Sequence, residues 1–234
     1  MFRFKQFTVD QTGCAMKINT DGVLLGTFAQ GDDVETILDI GTGTGVIALM
    51  LAQKFKQAWI DAVEIDASAA NTAGKNFEQS PFDNKPQIYQ SSFQEYFTAH
   101  PDKKYDLIVS NPPFYINSLE APAQQMKLAK HTDELFFEEL IAIAAKHLTA
   151  NGTCWLILPL ATASLVKALA LQNGLYLQKV ISIYSFAYVA AHRQIVVLSP
   201  SQTKTSEEEF VIYKEEKVYT EAYRDKLKDF FTIF

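Results

Sequence analysis

From about residue 35 the chain alternates short runs of β-branched and aliphatic residues with longer runs whose apolar positions recur at helical spacing. "TILDI" leads through a glycine-rich turn to "VIALMLAQKF", and "AWIDAVEI" leads to "ASAANTAGKNFEQ". Later rounds pass from "PQIYQ" through "FQEYF" to "YDLIVS", from "DELFFEELIAIAAKHL" to "GTCWLILPL", and from "ASLVKALALQNG" to "LYLQKVISIYS" and "RQIVVLSP". Such alternation implies right-handed crossovers and an α/β fold, a mostly parallel sheet with helices on both faces. The long helix is expected to open near Asp133 and Glu134, to carry Lys146 and His147 in its last turn, and to stop at "NG", 151–152. "KVYTEAYRDKLKDFFTIF" reads as an amphipathic closing helix packed on the domain. Residues 1–34 are rich in Gly and Thr and show little regular period.

Composition narrows the class. With 234 residues, 48% hydrophobic and 21% charged, the chain suits one large domain with a full core. No apolar run reaches the ~20 residues of a membrane span and no leader opens the sequence, so a cytoplasmic protein is expected. Cys14 and Cys154 match no metal spacing and read as reduced thiols. A net charge of -6 weighs against a nucleic-acid partner unless the basic groups gather on one face. Lys5, Lys17, Lys127, Lys130, His131, His192 and Arg193 are the candidates for such a face, and scattered solvated charges are an equal alternative.

Three motifs carry chemistry. "DIGTGTG", Asp39 to Gly45, lies where the first strand turns into a helix, with glycines for positive φ and free helix-end N–H groups for a ligand. Its G-x-G-x-G spacing differs from the G-x-G-x-x-G of dinucleotide enzymes. The second strand ends in "VEID", so Glu64 stands about 20 residues beyond the loop, where a carboxylate can take both hydroxyls of a ribose. Asp66 or Ser68 reads as an N-cap. Third comes "SNPPFY": neither Pro112 nor Pro113 suits a sheet interior, and a residue before proline is extended. The strand ending in Ser110 is expected beside the first, so its stiff tip faces the same crevice. There the Asn111 Oδ1 and the Pro112 carbonyl can each accept one N–H of an exocyclic amine, aiming the nitrogen lone pair at an electrophile. Phe114 can stack on a planar substrate.

The order "DIGTGTG", "VEID", "SNPPFY" resembles the class I methyltransferases that use S-adenosylmethionine to methylate amino groups. The opening "FTVDQTGCAMKINTDGVLLGTFA", with "KHTDELFFEEL" and "VYTEAYRDKLKDFF", resembles the bacterial tRNA(Val) adenine-N6 methyltransferases. That resemblance implies a Rossmann-like, seven-stranded, mostly parallel sheet, with residues 1–34 as a prelude on the cofactor and substrate cleft and 35–234 as the methyltransferase domain. It implies that Asp39, Gly41, Gly43 and Gly45 hold the methionine part of S-adenosylmethionine, and Glu64 its ribose. Where many relatives place an acid for the cofactor's adenine, this chain has "QSSFQ", leaving Ser92 or the backbone beside Phe93. Asn111, Pro112, Pro113 and Phe114 would form the catalytic tip, and Lys17, Lys130, His131 and Arg193 would meet tRNA. No metal is implied.

Other readings stay open. "NTDG", including Thr20 and Asp21, is a cofactor or RNA contact or merely a capped turn. Tyr184, Phe186 and Tyr188 either stack on loop bases or pack at a sheet edge. The same tip suits a glutamine amide of a translation factor or a guanine in rRNA. A nucleotide-dependent oxidoreductase and a non-catalytic binding module are the rivals from other classes.

Overall fold

The computed structural model describes residues 1–14, 16–112 and 123–234, with side chains in the last stretch from 134 onward. The elements are β1 (Phe2–Arg3), β2 (Thr8–Val9), α1 (Thr20–Phe28), β3 (Thr36–Ile40), α2 (Val46–Lys54), β4 (Trp59–Glu64), α3 (Ala67–Gln79), β5 (Gln87–Gln90) and α4 (Phe93–Ala99). They continue with β6 (Tyr105–Ser110), α5 (Ala123–His147), β7 (Leu148–Leu158), α6 (Leu160–Gln172), β8 (Tyr176–Phe186), β9 (Arg193–Ser199), β10 (Ser206–Glu215), β11 (Val218–Tyr219) and α7 (Glu221–Leu227). The main sheet runs β11-β10-β8-β9-β7-β6-β3-β4-β5. Its pairings are parallel except those of β9 with β7 and β8 and of β11 with β10. Helices cover both faces, giving one core around α1, α2 and α7 and another around α4, α5 and α6.

The α/β class is as expected, but among the described residues the main sheet has nine strands rather than seven. The addition is at the β8 edge, where β10 pairs in parallel from Ser206↔Lys179 to Tyr213↔Phe186. Phe210 and Ile212 of β10 are buried, while its run of glutamates hides the strand pattern in sequence. α5 begins at Ala123, before Asp133, and ends at His147 instead of at "NG". Asn151 and Gly152 fall inside β7, whose pairing with β6 slips between Tyr105 and Leu107. A Cβ on Gly152 would sit 2.7 Å from the Tyr105 carbonyl oxygen, so glycine here serves a close approach, not a helix end. The closing helix spans only Glu221–Leu227, capped by Thr220, and packs through buried Tyr223 and Leu227.

The first 34 residues contain an element that period alone does not reveal. Every residue of α1 from Gly22 to Phe28 is buried, so no polar stripe marks it as a helix. Gly26 lets it cross α2 closely: a Cβ there would lie 2.9 Å from Met50 Sδ. Its last carbonyls, Gly26, Thr27 and Ala29, accept from Lys54 Nζ, whose ammonium burial pushes down to about 8.

Behind the carboxyl edge of the sheet, Asp61 of β4 gathers three donors that sequence distance had hidden. Its Oδ2 accepts from Tyr96 at 2.8 Å, Tyr105 at 2.6 Å and Lys103 at 2.6 Å, and its Oδ1 from Trp59 Nε1 at 3.0 Å. The network joins β4, β6 and α4. Burial raises the Asp61 pKa, but the bonds from Lys103, Tyr105 and Tyr96 outweigh it and leave the carboxyl below its ordinary range. A depressed folded pKa adds stability above the unfolded value, near 4, that is lost as pH falls through the folded value. Asp61→Ala is expected to cost about 2–3 kcal/mol in urea unfolding at neutral pH. That figure is discounted because Lys103 keeps 34% of its side chain in solvent. The difference from wild type should shrink as the pH is lowered below about 4.

Candidate active site

From β3 the chain moves outward to β4 and β5, then returns to β6 on the other side of β3. This order creates a crevice at the carboxyl edge between β3 and β6, the place where open α/β sheets bind ligands. Ile40 pairs with Ser110, so the glycine loop and Asn111 leave adjacent strands at the same level. The resulting cavity is about 360 Å³, within the range of small-molecule sites. Gly41, Gly43, Glu64, Ser92, Phe93, Ser110 and Pro112 line it.

The loop is left-handed at Gly41, Gly43 and Gly45, with φ of 71°, 58° and 82°. A Cβ on Gly41 or Gly43 would meet nothing within 4 Å, whereas one on Gly45 would strike Phe77 at 2.4 Å. The first two therefore leave backbone open to a ligand, and the third seats the loop on α3. Gly45→Ala is expected to cost about 2–4 kcal/mol by adding overpacking to strain, and Gly41→Ala about 1–2 kcal/mol from strain alone; urea midpoints check both.

Two carboxylates frame this loop. Asp39 is fully buried; its Oδ2 accepts from Thr42 Oγ1 at 2.6 Å and from the Ala48 N–H at 3.1 Å. Its Oδ1 is buried and has no hydrogen-bond partner among the described residues. Burial pushes the Asp39 carboxyl up to about 7, opposed by the Thr42 and Ala48 bonds and reinforced by the charge of Glu64. The two oxygens of Glu64 accept the Gly43 N–H at 2.8 Å and the Asp66 N–H at 2.9 Å. Each retains a lone pair, so Glu64 shapes the loop and still offers acceptors to hydroxyl groups. Asp66 is the N-cap of α3, accepting from Ala69 N–H at 2.8 Å.

Ser92 caps α4 in a reciprocal box: its hydroxyl accepts from the Glu95 N–H at 3.1 Å, and Glu95 accepts from the Ser92 N–H at 3.1 Å. Phe93 packs edge-on to Phe136 at 5.5 Å. Across the crevice Asn111 is half-buried, Pro112 is buried, and Asn111 Nδ2 lies 3.5 Å from Asn19 Oδ1. Pro113, Phe114 and the side chains of Lys130 and His131 lie outside the described residues. Lys17 is exposed. Arg193 reaches Asp21 of α1, Nε to Oδ2 at 2.8 Å, and donates to the His192 carbonyl at 2.9 Å. Of the other basic residues, Lys5 donates to the Lys228 and Phe234 carbonyls, tying down the end of the chain. "NTDG" is a capped helix start, with Asn19 accepting from the Gly22 N–H at 2.9 Å.

Sequence reasoning missed Cys14, Met16, Ile65 and Phe136, which also line the cavity. Ile65 offers a signal: it directly follows the strand-end acid, where a turn residue is usually polar, and is 72% exposed. Cys14 and Cys154 are free thiols, the latter fully buried in β7 and pushed up to about 12 by burial. Among the described residues no helix is long and apolar enough to cross a membrane.

The model of the methyltransferase small domain matches residues 18–169. A relative in Pedobacter heparinus named tRNA1(Val) (adenine(37)-N6)-methyltransferase is 48% identical over 100% of this chain and 98% of its own. One of the same name in Parabacteroides distasonis is 40% identical over 98% of this chain and 97% of its own. Among solved structures, a predicted O-methyltransferase of Agrobacterium tumefaciens superposes with a TM-score of 0.69 at 17% identity, covering 90% of this chain and 96% of that one, which supports the fold alone.

Proposed function

The chain belongs to the methyltransferase small-domain family and, along its full length, to the tRNA1(Val) (adenine(37)-N6)-methyltransferases, and from this premise we propose that it transfers a methyl group from S-adenosylmethionine to N6 of adenine 37 in the anticodon loop of a valine tRNA. The observation that carries the reading is the level placement of Asn111 and the glycine loop on paired strands, with Ser110 opposite Ile40. That arrangement brings an amine-accepting tip and a cofactor cradle to one crevice. Its partner is tRNA, with Lys17, Lys130 and His131 as the contacts to phosphate. Residues 1–34 act as the prelude on this cleft, where Cys14 and Met16 stand, and 35–234 act as the methyltransferase domain.

The crevice suits the cofactor group by group. Asp39 lies beneath the loop rather than in the cavity lining, and its Oδ1 is the acceptor that would meet the cofactor's ammonium; the open backbone at Gly41 and Gly43 admits the methionine part, and Glu64 accepts from ribose hydroxyls. Ile65, Phe93 and Phe136 supply apolar walls for a purine. Ser92 keeps its hydroxyl and N–H in the capping box, so it contributes by fixing the start of α4 beside Phe93. When bound, S-adenosylmethionine supplies an electrophilic methyl on a sulfonium centre. Asn111 Oδ1 and the Pro112 carbonyl would each accept a hydrogen bond from one N6–H and turn the nitrogen lone pair out of conjugation towards that methyl, so that the N–C bond could form as the C–S bond breaks and its electron pair stays on sulfur. No strong base is needed until the product sheds its proton to water. Pro113 keeps the tip stiff, and Phe114 stacks on the adenine. A loop base requires less unstacking than a duplex base before it enters.

Nucleosides from unmodified tRNA incubated with the protein and S-adenosylmethionine, measured by mass spectrometry, test this reading. The expected product is N6-methyladenosine beside the valine anticodon. Asn111→Ala is expected to lower transfer at least about 100-fold with cofactor affinity nearly unchanged; equal activity in that variant overturns the mechanism.

Asp39 adds a pH dependence. Its folded pKa, about 7, lies above the ordinary carboxylate value, so the folded protein holds a proton that the unfolded chain releases between about 4 and 7. Stability from this group therefore falls as pH rises through that window. An ammonium ligand favours the ionised carboxylate, so cofactor affinity should rise from about pH 6 to 8 with proton release. Calorimetry should show Asp39→Asn binding more weakly and without this slope.

A further inference from the structure

We propose that Asn19, at the start of α1, is a positioning residue that sets which end of the Asn111 amide faces the crevice. This inference rests on the reading above, in which Asn111 accepts a hydrogen bond from the target amine. The two ends of an asparagine amide have nearly the same shape and opposite polarity. If the amide were reversed, an NH2 donor would meet an amine that must be accepted, and the site would repel its substrate.

The polarity is traceable to one backbone group. The Gly22 N–H, in the first turn of α1, can only donate, and it donates to Asn19 Oδ1 at 2.9 Å. That bond fixes the Asn19 amide with its oxygen at the helix end. The same oxygen lies 3.5 Å from Asn111 Nδ2, a shared and longer contact. With its nitrogen end matched to an acceptor, the Asn111 amide leaves its oxygen end for the target amine. Gly22 lies beside the pair: a Cβ there would rest in ordinary van der Waals contact with Asn111 Nδ2 and Asn19 Oδ1, both at 3.5 Å.

α1 is firm enough to act as the reference. Its body is buried from Gly22 to Phe28, Lys54 holds its last carbonyls, and Asp21 in its first turn is ion-paired with Arg193 at the start of β9. Arg193, a candidate RNA contact in the sequence, thereby also steadies the helix start on which Asn19 sits. The prelude thus sets the polarity of the catalytic amide.

The test separates capping from positioning. Asn19→Ser keeps an N-cap oxygen but draws it back towards the backbone, away from Asn111; Asn19→Asp keeps both the cap and an acceptor at full reach. Thermal unfolding, S-adenosylhomocysteine affinity, kcat and KM for tRNA are measured for both, with Asn111→Ala alongside. The expected result is that Asn19→Ser retains its melting temperature and ligand affinity while kcat falls roughly 3- to 10-fold, the worth of one neutral hydrogen bond. Asn19→Asp is expected to recover most of that loss. Full kcat in Asn19→Ser, or an equal loss in Asn19→Asp, overturns the positioning role. If Asn111→Ala loses activity while Asn19→Ser does not, this inference fails alone; if Asn111→Ala is fully active, the functional reading fails as well.

Discussion

The parallel register between β3 and β6 is the constraint on which the rest depends. Ile40 lies opposite Ser110, and the Ser110 hydroxyl donates to the Ile40 carbonyl at 2.8 Å, locking the last pair of the ladder. A slip of one residue would reverse every side chain between the two faces of the sheet. It would also carry Asn111 out of level with Gly41. On the other side of β3, the Gly41 and Thr42 N–H groups both donate to the Val63 carbonyl, at 2.8 and 3.1 Å, so the loop is pinned to β4 just before Glu64. Three neighbouring strands thereby deliver a cradle, a carboxylate and an amide to one edge.

The electrostatics of that edge divide it into two halves. On the loop side stand Asp39, with one buried oxygen unmatched, and Glu64, with both oxygens half-used. In the proposed reading a cationic, hydroxyl-bearing ligand complements them. On the tip side stand Asn111 and Pro112, which in the proposed reading accept from an amine that must stay uncharged to act as a nucleophile. Ser110 and Gly41 line the same cavity, and in the proposed reading a donor and an acceptor of a methyl group face each other there without a general base between them.

Much of this was legible in the sequence. "TILDI", "YDLIVS" and "ASAANTAGKNFEQ" coincide with β3, β6 and α3 because each carries both its period and its stop signals. The positive-φ glycine loop was legible for a related reason: glycine permits locally a backbone that other residues rarely adopt, whatever surrounds it. α1 was not legible, since a helix buried on all sides has no amphipathic stripe, and β10 was hidden by its glutamates. The Asp61 cluster joins residues up to 44 positions apart, a separation that no local pattern reports. Arg193 read as a candidate RNA contact, and its ion pair with Asp21, 172 positions away and at 2.8 Å, was not visible in the sequence. Ser92 read as a ligand group, and only the reciprocal geometry with Glu95 shows its capping work.

The central claim, that this crevice methylates one exocyclic amine in an anticodon loop, is tested most directly with two short valine anticodon stem-loops. They differ only in adenine or guanine at position 37, and methyl incorporation from labelled S-adenosylmethionine is followed for each. The account predicts transfer to the adenine stem-loop and none to its guanine counterpart, with the label recovered on N6. Equal labelling of both, or label on any other atom, would contradict it.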